Sequence, residues 1–425
     1  MPPRKLDRRR FLQLTGLGAG AALALPGTNG VGRVIFGGRR LHVGVMVPTG
    51  SRYEPMADHL LEGLRLGFLG SGVAGAGLAA TPARIVTQTV FRGYGGAREA
   101  AQRLLHDQKV DVVVGWVTAP VARRIADLFE ERQVPLMVVN IGAHVASPPA
   151  RSPYLLYNSL NYWQSSFAMG SWAAERVGRR AVITTSLADS GYDTVYAFRR
   201  AFEAAGGTVA GTVVTHTEPR KRGLATLFRT VRRTDPDFVY ALHTGDAAVD
   251  LVRGYSARGM GGRAPLLGGG LLTEDYVLPR LGPVANGIRT SFSWAGNLDT
   301  PANARFRESY RERTGRSADV FAVLGYDTAL LLAAGARRAQ EMGGLRRLAN
   351  ALAGARVEGP RGVLSLDPAT NVVQSPLYIR EVGASGGSLT NLVLATVPAV
   401  PAFPSELRPL DTQLASGYLN ECLCP

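Results

Sequence analysis

Short runs of β-branched and other apolar residues alternate with amphipathic stretches through most of this chain. Residues 41–47 form the first such run, a predicted buried strand. Residues 57–68 follow as a helix that gathers Leu60, Leu61, Leu64 and Phe68 on one face. Strands are predicted at 84–90, 110–115 and 135–140, with helices at 99–108 and 121–133. Near 154–161 the alternation pauses in an aromatic, polar segment, read as a crossing between two halves. It restarts with helix 164–176, strand 181–185, helix 192–205, strand 208–215 and helix 224–233. Strand 238–243, helix 247–258 and strand 265–269 complete a second set. A strand at 288–292, helices at 302–313, 318–342 and 345–353, and closing strands at 362–366 and 377–382 make up the rest. Alternation of this kind builds parallel sheets, so the expected class is α/β with two Rossmann-like lobes. The last third is too short and too helical to stand alone and is expected to return to the first lobe.

Ahead of the first strand, Arg8, Arg9 and Arg10 precede Phe11 and Leu12, and an apolar run at 14–25 leaves through Ala22-Leu23-Ala24. The pattern reads as an export signal over 1–24, followed by a glycine-rich linker at 25–40. About a dozen apolar residues are too few for a ~30 Å hydrocarbon core. The arginine pair resembles the twin-arginine signal of bacteria, with Asp7 and Gln13 as mild departures from its usual residues. That resemblance implies a periplasmic location. An α/β protein there meets no pool of ATP or NAD, so it reads as a receptor sooner than as an enzyme.

Charge changes this picture little. The chain carries 48 Lys and Arg against 33 Asp and Glu, a net charge of +15. Lys5, Lys109 and Lys221 are its only lysines, and the arginines are spread along its length. The one dense run, Arg220-Lys221-Arg222, lacks the interleaved aromatics of a nucleic-acid platform, so no nucleic-acid partner is expected. Cys422 and Cys424 are the only cysteines, so no disulfide frames the fold and no zinc site is indicated. After the signal no segment approaches 18 apolar residues, and no stable membrane insertion is expected. Gly70-Ser-Gly-Val-Ala-Gly75 satisfies a dinucleotide pattern but follows a helix, where no phosphate turn forms. No nucleophile elbow, zinc-protease motif or phosphate loop is present. The expectation is a protein without catalysis and without a cofactor.

Several short signatures stand in a recognisable order. They are Val43-Gly-Val-Met-Val-Pro48, Glu62-Gly-Leu-Arg-Leu66, Asp111-Val-Val-Val-Gly115 and Pro135-Leu-Met-Val-Val-Asn-Ile-Gly142. Asp189-Ser-Gly-Tyr-Asp193, Phe202-Glu-Ala-Ala-Gly-Gly207 and Asp235-Pro-Asp-Phe-Val-Tyr240 follow. In this order and spacing the chain resembles the type I periplasmic solute-binding proteins of ABC transporters, the branched-chain amino-acid and amide group. The resemblance runs from about 41 to 382. It implies two lobes joined by a three-segment hinge, with crossings near 157–162, 287–290 and 366–372. The expected division is 41–157 plus 290–367 for the first lobe, 158–289 plus 372–395 for the second, and 396–425 as an irregular tail.

The resemblance also implies a small-molecule ligand in the cleft and an ABC transporter permease and ATPase complex as partner. A receptor feeding a signalling partner and an exported enzyme are the alternatives. Positions expected to touch ligand from the first lobe are Trp116, Thr118 and Ala119, then Asn140 and Gly142. Thr118 can equally cap its own helix, and Ala119 stands where amino-acid binders carry Ser. Tyr53 or Met56 would form a third wall. From the second lobe the expected contacts are Tyr192, His243, Thr244 and Gly270. Amino-acid binders have an acid near Gly270 to pair with the ligand's ammonium, and the nearest acids here are Glu274 and Asp275. A buried ammonium left unpaired is costly. The expected ligand is therefore neutral or anionic, with an aromatic or amide face.

Overall fold

A computed structural model describes residues 40–50, 54–70, 83–91, 93–143, 152–189, 193–217 and 223–400. The expected signal and linker, Tyr53, Tyr192 and most of the tail, with both cysteines, lie outside the described residues. In the first half, strands β1 (Leu41–Pro48), β2 (Ala83–Val90), β3 (Val112–Gly115), β4 (Leu136–Asn140) and β5 (Leu155–Ser159) alternate with helices. These helices are α1 (Glu54–Leu69), α2 (Gly93–Gln102), α3 (Ala119–Arg124) and α4 (Ala126–Arg132). The five strands form one parallel sheet in the order β2-β1-β3-β4-β5. β3 and β4 are buried along their whole length, which is why they read as continuous apolar runs rather than alternating ones.

The second half adds α5 (Tyr162–Arg176), β6 (Arg180–Ser186), α6 (Thr194–Ala204), β7 (Thr208–Thr215), α7 (Leu224–Thr234), β8 (Phe238–Leu242) and α8 (Gly245–Ser256). It continues through β9 (Leu266–Gly269), α9 (Leu278–Leu281) and β10 (Arg289–Phe292). Then come α10 (Pro301–Thr314), α11 (Val320–Glu341), α12 (Leu348–Leu352), β11 (Arg356–Gly359), β12 (Gly362–Leu366) and β13 (Val373–Gln374). A hairpin of β14 (Leu377–Ser385) and β15 (Ser388–Val397) closes the described chain. Its two-residue loop is Gly386-Gly387 with φ of 59° and 83°, the positive angles that match a tight turn to strand twist. The second sheet runs β15-β14-β10-β9-β8-β6-β7, parallel from β7 to β10 and antiparallel beyond.

Several expectations are corrected. The pause at 154–161 contains strand β5, which pairs in parallel with β4 from Leu136 opposite Leu155 to Asn140 opposite Ser159. Its polar residues hide it, because Asn158 is paired with Thr328 far along the chain. The strand predicted at 288–292 belongs to the second sheet, since Arg289–Phe292 pairs with both β9 and β14. The return to the first lobe therefore begins after Phe292, not near 287–290. The predicted strand 362–366 joins neither large sheet but forms a small antiparallel one with β11 and β13. β15 extends to Val397, beyond the expected end of the second lobe at 395.

Helix caps follow local chemistry. Thr300 accepts a hydrogen bond from the Asn303 amide at 3.2 Å ahead of Pro301, and Gly315 ends α10 at φ 68°. Asp319 accepts from the amides of Phe321 and Ala322 and starts α11. That helix is long and apolar enough by composition to cross a membrane, but 89% of its most apolar window is buried inside the protein. It lies against α1 with almost no space between the backbones. A Cβ added to Gly63 would strike the carbonyl of Ala322, and one added to Gly325 would strike that of Leu60. Fully buried Leu60, Leu64, Leu331 and Leu332 surround this contact, each worth about 1.5–3 kcal/mol of burial.

Candidate ligand cleft

Ligands of open α/β sheets sit beyond the carboxyl ends of the strands, and Trp116, Asn140, His243 and Gly270, singled out from sequence, lie at the ends of β3, β4, β8 and β9. β3 leaves the sheet at Gly115, and the Trp116 amide still donates to Met46 O at 2.9 Å. The Trp116 indole is only 1% exposed and stacks on Phe321, ring centres 5.3 Å apart. It packs in the core between the sheet and α11. Thr118 is the N-cap of α3, its hydroxyl accepting from the Val121 amide at 3.4 Å. Ala119 opens that helix and is also buried.

Asn140 ties two loops together. Its side-chain amide donates to Val117 O at 2.8 Å, and its oxygen accepts from the Gly142 amide at 2.8 Å. Gly142 has φ 72°, and a Cβ there would lie 2.6 Å from the Ser159 hydroxyl. Only glycine fits that turn. The chain at 160–163 then runs alongside the loop: Leu160, Tyr162 and Trp163 donate their amides to Asn140, Ile141 and Gly142 carbonyls. Met56 is half-buried against the first core.

On the second lobe, Asp189 anchors the loop after β6. Its carboxylate accepts from the Ser186 hydroxyl at 2.6 Å, from the Thr244 amide at 3.1 Å and from the Thr244 hydroxyl at 3.2 Å. Thr244 thereby joins the ends of β6 and β8. His243 has no exposed surface, and its Nε2 lies 2.7 Å from the Thr215 hydroxyl. Burial, with a smaller push from His216, drives its pKa down to about 3, so the ring is neutral. The two lobes meet directly where the Asp193 amide donates to Ala143 O at 3.0 Å.

Gly270 cannot carry a side chain here, because a Cβ would collide with the Phe292 ring. Its carbonyl accepts from the Arg380 guanidinium at 3.0 Å. Arg380 is 1% exposed and also reaches Trp294 O at 2.7 Å and the Glu274 carboxylate at 2.9 Å. Burial pushes Glu274 up to about 8, against the pull of Arg380. The acid nearest Gly270 is thus committed to an internal partner. Asp189, Arg361 and Arg380 were not read from sequence as site or hinge residues, and Tyr162 was read only as part of the crossing near 157–162. Asp189 was visible only as the start of the signature Asp189-Ser-Gly-Tyr-Asp193, and the arginines gave no local signal.

Residues 42–388 match the profile of the family described as periplasmic binding protein. The chain is a periplasmic binding protein. It is 28% identical over 313 residues to Leu/Ile/Val-binding protein homolog 6 of Brucella melitensis, covering 71% of this chain and 77% of the relative. Among solved structures it is similar to an ABC transporter solute-binding protein of Rhodopseudomonas palustris BisB5 in complex with 3,4-dihydroxybenzoic acid. That likeness has a TM-score of 0.72 and 25% identity over 85% of this chain and 98% of the other. A Rhodopseudomonas palustris solute-binding protein in complex with benzoate gives a TM-score of 0.69 and 29% identity, with 85% and 98% covered. The periplasmic binding protein fold accounts for the two lobes, and its members are solute-binding receptors rather than enzymes.

Proposed function

We propose that this periplasmic binding protein captures a small aromatic carboxylate lacking an ammonium group and delivers it to the permease and ATPase of an ABC transporter. One observation carries the reading. At Gly270, where an amino-acid binder needs a carboxylate, Phe292 fills the space and the following acid, Glu274, is held by Arg380. An α-ammonium buried at that point would go without its counter-charge, at a cost of several kcal/mol. The aromatic character is supported by the benzoate and 3,4-dihydroxybenzoate complexes of the two Rhodopseudomonas relatives.

In this reading the first lobe is 41–159 with 293–366, and the second is 160–292 with 377–397. The loops at 116–119 and 140–143 face the ligand from the first lobe, together with Tyr53. Tyr192, His243, Thr244 and Gly270 face it from the second. Trp116 and Asn140 support those loops from behind. The protein binds without turnover and without a cofactor, and it reaches the periplasm by the twin-arginine pathway signalled by Arg8, Arg9 and Arg10. Isothermal calorimetry against benzoate, 3,4-dihydroxybenzoate and leucine tests the ligand class. Binding of either aromatic acid with no heat from leucine is the expected result; tight leucine binding would overturn it.

A further inference from the structure

The hydroxyl of Tyr162 is fully buried and finds no hydrogen-bond partner among the described residues. Buried hydroxyls are ordinarily paired, because removing one from water without a partner is unfavourable. The position of this one is informative. Tyr162 opens α5, and its amide donates to Ile141 O at 3.0 Å, in the first-lobe loop that the Asn140 side chain organises. Its ring lies edge-on to Phe292 with centres 5.8 Å apart. There the hydroxyl lies at the carboxyl end of β9, where a Cβ added to Gly269 would sit 2.5 Å from it. The tyrosine thus joins the loop at 141–142 to the end of β9.

The surroundings define what such a hydroxyl can recognise. Burial, reinforced by the negative charge of Asp189 and then by Tyr240, Tyr276 and Glu274, holds the phenol neutral. A neutral phenol both donates and accepts one hydrogen bond, so it suits a ligand hydroxyl. Asp189, already accepting from Ser186 and Thr244, adds negative charge near the same point. A second ligand carboxylate would meet repulsion there.

We propose that Tyr162 is a specificity-determining residue whose hydroxyl bonds a ring hydroxyl at the far end of the ligand, selecting hydroxylated aromatic monocarboxylates over the bare ring and over dicarboxylates. This rests on the aromatic-acid reading above. Calorimetry of the parent and of Tyr162→Phe with benzoate, 3,4-dihydroxybenzoate and benzene-1,4-dicarboxylate tests it. The parent should prefer the dihydroxy acid and reject the dicarboxylate. Tyr162→Phe should lose about tenfold in affinity for the dihydroxy acid, the scale of one hydrogen bond. Its affinity for benzoate should stay within about twofold, and its ligand-free melting temperature should hold or rise, since an unpaired buried hydroxyl is removed. Gly269→Ala, which displaces the hydroxyl without deleting it, should lower the same preference. Equal losses for both acids, no loss for either, or a ligand-free melting temperature several degrees lower in Tyr162→Phe would overturn the assignment while leaving the aromatic-acid reading standing. If the parent binds none of the three acids, that reading fails and this inference falls with it.

Discussion

Arg361 and Asp327 form an ion pair of 2.6 Å with no exposed surface on either side chain. Arg361 also donates to Ser159 O and to the Asn158 side chain, each at 2.7 Å. Its own carbonyl accepts from the Tyr378 hydroxyl at 2.9 Å. One residue in the turn between β11 and β12 therefore joins the end of β5, helix α11 and strand β14. Arg361→Met should lower unfolding free energy by about 3–5 kcal/mol, because Asp327, Asn158 and the Ser159 carbonyl are left buried without their shared partner. Adding Asp327→Leu should restore most of that loss. Chemical denaturation of the three proteins checks both outcomes, and a double variant no better than the single one would contradict the ion-pair account.

Close approach of α1 and α11 gives a second expectation. Alanine is ordinarily a better helix former than glycine by roughly 0.8–1 kcal/mol. At Gly325 the added Cβ meets the backbone carbonyl of Leu60, which has no side-chain freedom to yield. Gly325→Ala should therefore destabilise by about 1–3 kcal/mol despite its better propensity. A thermal melt that rises would show that the helices can separate at little cost.

Stability should also depend on pH through His243. Its folded pKa is near 3, against 6.5 for the free side chain, so the unfolded chain binds more protons between those values. Stability from this group is complete above about 6.5 and declines as the pH falls toward 3, with a slope approaching 1.4 kcal/mol per unit. Glu274, pushed up to about 8, acts in the opposite sense above its own unfolded value. The difference between the curves of the parent and His243→Gln isolates the histidine. Parallel curves from pH 6.5 to 4.5 would mean that His243 takes up its proton inside the fold.

Asn140 provides a test of loop order. Asn140→Ala removes the two bonds that hold Val117 and Gly142 together and leaves the Gly142 amide buried without this acceptor. A loss of about 1–3 kcal/mol in stability is expected. Ligand affinity should fall along with it if, as proposed, both loops face the ligand. Asn140→Asp keeps the acceptor for Gly142 and should recover part of the affinity; calorimetry separates the two variants.

What could be read from sequence depended on where each polar group finds its partner. β1, β3, β4 and β8 declared themselves through unbroken apolar runs whose meaning is local. β5 did not, because Asn158 and Ser159 look like loop residues until Thr328 and Arg361 are beside them. The same limit applies to the cleft. Gly270 was legible as the place without an acid, but the removal of Glu274 by Arg380 spans 106 residues. Trp116 and Asn140 could be assigned to loops at strand ends, but their partners Phe321, Val117 and Gly142 could not be read there, since sequence position says which loop a residue joins and not what it touches. Tyr53 and Tyr192 lie outside the described residues.

The bond from the Asp193 amide to the Ala143 carbonyl has a further meaning. It is made by main-chain atoms on both sides, so no substitution other than proline at 193 removes it chemically. The latch between the lobes is therefore insulated from the side chains that choose the ligand. Such a receptor can exchange its recognition surface, by drift or by design, while the tendency of its two halves to stay together is inherited unchanged.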